Sequence, residues 1–226
     1  MKIKRLLRNL IRRSPLLYPC YLKLFGLKLD RRFPVQGVDL HVTGYPRCAN
    51  TFAMRLLRHA FPELLLSTHI HAIASLKMAL RNRIPTVVLV REPVQAVASL
   101  VLKGALPKDD PETITSYLED YVEYYGFVVK HGGDFKCLDF RELTVHPYSL
   151  IEAVSPYVDT RIEEGEFKKC LSAVLSEMKN AEVTRADSVS QLPNKEKEQL
   201  KQSYCEAVQK HPLFDEAMKI YQSLGV

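Results

Sequence analysis

The stretch Val42-Thr43-Gly44-Tyr45-Pro46-Arg47-Cys48-Ala49-Asn50-Thr51-Phe52 joins a Gly/Pro turn to one arginine and two side-chain donors. These residue types suit a phosphate-like anion. The first N–H groups of a helix have no intrahelical partner and point outward, so a strand-turn-helix junction is a cradle for negative charge. Arg47 adds a fixed cation beside it, and Asn50 and Thr51 add donors where the cradle closes. The eight positions Gly44 to Thr51 read G-Y-P-R-C-A-N-T, whereas the nucleoside-triphosphate loop reads G-x-x-x-x-G-K-[ST]. Asn50 stands where that loop has the lysine that reaches the β- and γ-phosphates, which argues against ordinary ATP chemistry. The plainer alternative is a strand-to-helix turn with an incidental arginine.

A second anion site follows. Ile84 to Val90 is a short β-branched run opened by Pro85, the pattern of a buried parallel strand. It ends in Arg91-Glu92-Pro93, so Arg91 falls at a strand's carboxyl end, where open α/β sheets bind ligands. Ser99 lies about two helical turns further on. A forked guanidinium and a hydroxyl so placed can share one phosphate. The plainer readings are a small residue at a helix–sheet contact for Ser99 and an ion pair with Glu92 for Arg91. Between the two segments stand His69 and His71, side chains that titrate near neutrality and suit a general base. If the backbone is extended there, both face one side. A His-x-His pair also invites a metal, but the other histidines are scattered and no cysteine pair has metal-site spacing, so no metal is expected.

Together these segments resemble the sulfotransferases that use 3′-phosphoadenosine-5′-phosphosulfate (PAPS). Their 5′-phosphosulfate loop reads Y-P-[KR]-S-G-[TN]-T-W, and Tyr45 to Phe52 matches it at most positions. Their 3′-phosphate motif reads R-[DNE]-P-x-x-x-x-x-S, and Arg91-Glu92-Pro93 with Ser99 keeps order and spacing. Thr68-His69 is similar to the pair that supplies the family's base, which puts His69 first and His71 second. The resemblance covers about residues 42–100 and implies PAPS as donor, adenosine 3′,5′-bisphosphate as product, and Tyr45, Pro46, Arg47, Cys48, Ala49, Asn50, Thr51, Phe52, Arg91 and Ser99 as donor-binding residues. Arg47 would also act on the transferring group. Arg185 is the candidate for a late basic residue that returns to the 3′-phosphate. The departures are Ala49 for the loop glycine, Cys48 for a serine, and Phe52 for the tryptophan that packs on adenine. A Cβ at Ala49 is tolerable at negative φ and costly otherwise.

The elements that must position these residues read as one α/β domain over 36–226, of the P-loop-type three-layer class. It has a mostly parallel central sheet with helices on both faces and a helical C-terminal part. A chain of 226 residues buries a sizeable core without disulfides, and five widely spaced cysteines fit a reducing, cytoplasmic setting. Residues 1–35 carry ten Lys/Arg and one acid, for +9, and the remainder is at −3, so the overall +6 describes the leader and a nucleic-acid partner is not expected. In residues 1–13, Ile3, Leu6, Leu7, Leu10 and Ile11 recur at helical spacing among cations. Two readings stand for this leader: a peripheral membrane contact, or a helix that docks its apolar face on the domain and wets its charges. The tyrosine-rich segment Thr113 to Lys130 reads as packing more than as an acceptor surface. The resemblance implies an acceptor hydroxyl or amine on a small molecule or a glycan, and the sequence does not choose between them. Two other classes remain open: a nucleotide or phosphate kinase on a P-loop fold, and a catalytically silent nucleotide-binding module.

Overall fold

The computed structural model describes residues 2–24, 33–104, 111–183 and 195–226. Its centre is a four-stranded, all-parallel sheet of order β2-β1-β3-β4, with β1 Leu40–Gly44, β2 Leu66–Thr68, β3 Thr86–Val90 and β4 Lys136–Asp139. Every residue of β1 and β3 is buried, so both faces of the sheet's middle are covered, as parallel strands require. The apolar run after Pro85 is the reason β3 can sit there: Val87, Val88, Leu89 and Val90 are all fully buried.

The chain runs from β1 through α3 (Asn50–Ala60) to β2 on one side of β1, then through α4 (Ile73–Asn82) to β3 on the other side. From β3 it passes through α5 (Pro93–Lys103) and α6 (Pro111–Lys130) to β4. The connections leaving neighbours β1 and β3 therefore diverge, which makes their carboxyl ends the topological switch point, where such sheets open a ligand crevice. Register pairs Gly44 with Leu89. A Cβ on Gly44 would lie 2.4 Å from the Leu89 carbonyl oxygen, so only glycine allows this approach.

Helices α7 (Phe140–Val145), α8 (Tyr148–Val154), α9 (Glu164–Val183), α10 (Lys195–Gln209) and α11 (Phe214–Ser223) complete the fold. The sequence reading missed three elements. β2 is only three residues long, too short for a periodicity signal. α7 starts where Asp139 accepts a hydrogen bond from the Arg141 N–H at 2.6 Å, directly at the end of β4, so strand and helix share one short apolar stretch. α2 (Leu17–Leu24) runs through Pro19, which its first turn tolerates.

The leader docks the opposite way from the apolar-face-inward reading. In α1 (Lys2–Arg13), Arg12 bonds Asp120 of α6 at 2.5 Å, Arg8 meets the same carboxylate at 3.5 Å, and Arg13 pairs with Glu123. Leu7 and Leu10 are exposed instead.

Candidate functional site

At the carboxyl end of β1 the chain must turn sharply into α3, and it does so through two residues in the left-handed region: Arg47 at φ 73° and Ala49 at φ 61°. Left-handed residues spaced in this way turn successive N–H groups toward one side and form a concave anion nest. The nest leads into α3, whose first i to i−4 bond is Ala53 N–H to Ala49 O, so the N–H groups of Asn50, Thr51 and Phe52 add to the same donor set. No side chain caps this helix start.

Arg47 and Ser99 meet directly: Arg47 Nε donates to Ser99 Oγ at 3.0 Å. Arg91 Nη1 donates to the Arg47 carbonyl at 2.8 Å, and its guanidinium lies 3.8 Å from the centroid of the Phe140 ring. Two guanidinium groups and a hydroxyl from β1, β3 and α5 thus gather at the switch point. The structure differs from the expectation in detail, because Ser99 bonds Arg47 and Arg91 braces the loop backbone. Glu92 pairs with Arg141 at 3.0 Å. Burial lowers the pKa of Arg47, since desolvation disfavours its charge. An arriving anion would reverse that penalty.

Several loop side chains are structural. Tyr45 is buried; its hydroxyl donates to the Tyr117 carbonyl at 3.0 Å and its N–H donates to Tyr125 Oη at 3.2 Å. Cys48 is fully buried beside Tyr125 Oη at 3.4 Å, and burial pushes its thiol up to about 12, so it is neither ionised nor turned toward the nest. Asn50 Nδ2 closes the loop on the Tyr45 carbonyl at 3.1 Å. Pro46 is half-buried, and Phe52 is half-buried against the core.

Three of the four tyrosines of α6, Tyr121, Tyr124 and Tyr125, are buried and serve as a scaffold, and Tyr117 is half-buried against the core. Tyr125 donates to the Leu89 carbonyl at 2.7 Å, Tyr121 to the Arg91 carbonyl at 2.8 Å, and Tyr124 shares a hydrogen bond with Thr43 at 3.0 Å. Each hydroxyl serves the strand ends that carry the two loops.

His69 and His71 sit at the other wall of the crevice, their ring centroids 6.1 Å apart. The backbone between them is not extended, since His69 has φ 60°, yet the rings still come together. His69 contacts Thr51 Oγ1 at 3.2 Å through Nε2 and Thr68 Oγ1 at 3.1 Å through Nδ1. Both partners are hydroxyls, which donate or accept, so neither fixes a tautomer. His71 Nδ1 lies 2.7 Å from the Gly44 carbonyl, which only accepts. Nδ1 must therefore carry the proton, and the lone pair of the neutral ring is on Nε2. Arg12 of α1 donates to the His71 carbonyl at 2.8 Å.

Arg185 lies outside the described residues. Lys201 of α10 is a buried cation that sequence reasoning did not single out; it bonds Gln95 of α5, four residues from both Arg91 and Ser99 in sequence. Its only sequence signal was a lysine in an amphipathic helix, indistinguishable from a solvated one. Among the described residues, no group of three or more His, Cys, Asp or Glu could hold a metal ion.

The class defined by these observations is an α/β fold with a four-stranded, all-parallel sheet and a loop of two left-handed residues at its switch point. No protein-family model matches the chain, and no curated protein matches it significantly.

Proposed function

We propose that the chain is a PAPS-dependent sulfotransferase that passes a sulfuryl group to a hydroxyl or amine of a small-molecule or glycan acceptor. The observation that carries this reading is the convergence of Arg47, Arg91 and Ser99 on a left-handed N–H nest facing two histidines. The donor supplies a sulfur centre whose bond to the 5′-phosphate oxygen breaks as the acceptor oxygen or nitrogen attaches in line. The protein's task is positioning and charge stabilisation, by analogy with phosphoryl transfer. Arg47 and the N–H groups of residues 47–52 hold the leaving phosphate and the charge that builds on it. In this reading Arg91 and Ser99 take the 3′-phosphate, with Arg91 also fixing the loop through the Arg47 carbonyl. Nε2 of His71 takes the acceptor's proton, its tautomer set by the Gly44 carbonyl, and His69 holds Thr51 at the mouth of the helix.

Thermal denaturation with added nucleotides tests the donor site. A ligand at a hundredfold excess over its Kd stabilises the folded state by about 2.7 kcal/mol, or roughly 5–10 °C for a chain of this size. Adenosine 3′,5′-bisphosphate should give that shift and 5′-AMP much less. A larger shift with ATP favours a kinase, and no shift with any nucleotide removes the reading.

A further inference from the structure

Helices at a protein surface ordinarily bury an apolar stripe and wet their charges. α1 departs from this, because its arginines reach toward the body while Leu7 and Leu10 stay exposed. Arg8, Arg12 and Arg13 reach Asp120 and Glu123 of the body. At about 100° per residue, positions 8, 9, 12 and 13 form the inward arc, while positions 7 and 10 lie opposite. Leu7 and Leu10 on that outer arc are 56% and 57% exposed. Leu16, Leu17, Tyr21 and Leu24, at the junction and on α2, are exposed as well, with Leu24 at 82%. Six of the fourteen exposed large apolar side chains among the described residues fall in this one segment, a concentration beyond ordinary scatter along the chain.

We propose that α1 and α2 form an interfacial anchor that lays this chain on an anionic lipid surface. Charge selects the occupant. Residues 2–24 contain Lys2, Lys4, Arg5, Arg8, Arg12, Arg13 and Lys23 and no acid. Three of these pair with the body, yet the side chains of Arg8 and Arg13 remain 44% and 54% exposed. A second copy seated on the same patch would set these cations against their own kind, whereas anionic headgroups complement them. Leucines flanked by an exposed tyrosine and lysine match the boundary between acyl chains and headgroups. No helix among the described residues is long and apolar enough to cross a membrane, so the contact runs along the surface. The anchor also touches the candidate site, because Arg12 bridges Asp120 and the His71 carbonyl. Docking therefore brings the carboxyl edge of the sheet, and any acceptor it takes, close to the lipid. The anchor does not depend on the sulfuryl-transfer reading.

Flotation of the full chain with phosphatidylcholine vesicles, with and without phosphatidylserine, tests this. The wild type should float with the anionic vesicles, and less so without phosphatidylserine or in high salt. Leu7→Ser with Leu10→Ser and Leu24→Ser should lower partitioning at least about a hundredfold, since each buried leucine side chain accounts for roughly tenfold or more. Its melting temperature should match the wild type because the leucines are exposed. Lys23→Glu, a change outside the core, should weaken anionic binding several-fold and leave folding intact. Failure of the wild type to float, or a leucine variant that floats like it, overturns the anchor. So does a wild-type dimer, seen by light scattering, that the leucine changes convert to monomer without lipid.

Discussion

Replacing Ala49 by glycine should stabilise this protein, against the usual sign of that change. Ala49 stands at φ 61° and ψ 23°, immediately before α3. A Cβ in the left-handed region costs about 1–2 kcal/mol, and glycine is also preferred over alanine before a helix's first turn. Against this, glycine loses about 0.4–1 kcal/mol through the greater freedom of the unfolded chain. The balance is about 0.5–1 kcal/mol in favour of Ala49→Gly. Ala53→Gly is the matched control. Ala53 is fully buried inside α3, so there glycine should cost about 1 kcal/mol in helix propensity, plus the lost methyl contact. Urea denaturation of the three proteins measures both. With a slope near 2–3 kcal/mol per molar, Ala49→Gly should raise the midpoint by about 0.3 M, and Ala53→Gly should lower it. If both variants fall by similar amounts, the loop does not take the left-handed turn, and the N–H nest built on it goes too.

The remaining predictions concern other parts of the site and its frame. Gly44→Ala should destabilise by about 3 kcal/mol or more, read in the same urea series, because its Cβ meets the Leu89 carbonyl, a backbone atom that cannot swing aside. His41 is fully buried between Ser67 and Ser75, and desolvation lowers its pKa to about 4. The unfolded state, with a value near 6.5, takes up the proton first, so stability should fall as pH drops from about 6.5 toward 4, by about 3 kcal/mol in all. His41→Asn should flatten that slope between about pH 6.5 and 5, where carboxylates contribute little. His71→Asn should keep a donor for the Gly44 carbonyl and leave nucleotide binding intact, yet slow sulfation about 10²–10⁴-fold; if His69→Ala has the larger effect, the base is His69.

The legible parts of the fold were those with long apolar runs or sharp punctuation. Pro85 followed by Thr86 to Val90 marked β3, and Gly44-Tyr45-Pro46 marked the turn into α3, because such signals are local. β2 escaped since three residues cannot show a period, and it is defined by pairing with β1. The site was legible as a residue set but not as a contact set. That Ser99 would bond Arg47, and that Arg91 would serve the loop carbonyl, follows from how β1 and β3 sit side by side. The tautomer of His71 depends on a carbonyl 27 residues away in sequence. The resemblance put Cys48 among the donor-binding residues, whereas the left-handed residues on either side accompany a sulfur buried in the core. The leader shows the same limit from the other direction. Its periodicity gave an amphipathic helix, but which arc faced the body was decided by Asp120 and Glu123, more than a hundred residues later.

Calorimetric titration with adenosine 3′,5′-bisphosphate, 5′-AMP and ATP, on the wild type and on Arg91→Ala, tests the central claim most directly. The account predicts binding that needs the 3′-phosphate and weakens at least tenfold in the variant, as expected when a charge-assisted contact worth about 1.5–3 kcal/mol is lost. Equal affinity for 5′-AMP, a preference for ATP, or binding indifferent to Arg91→Ala would contradict it.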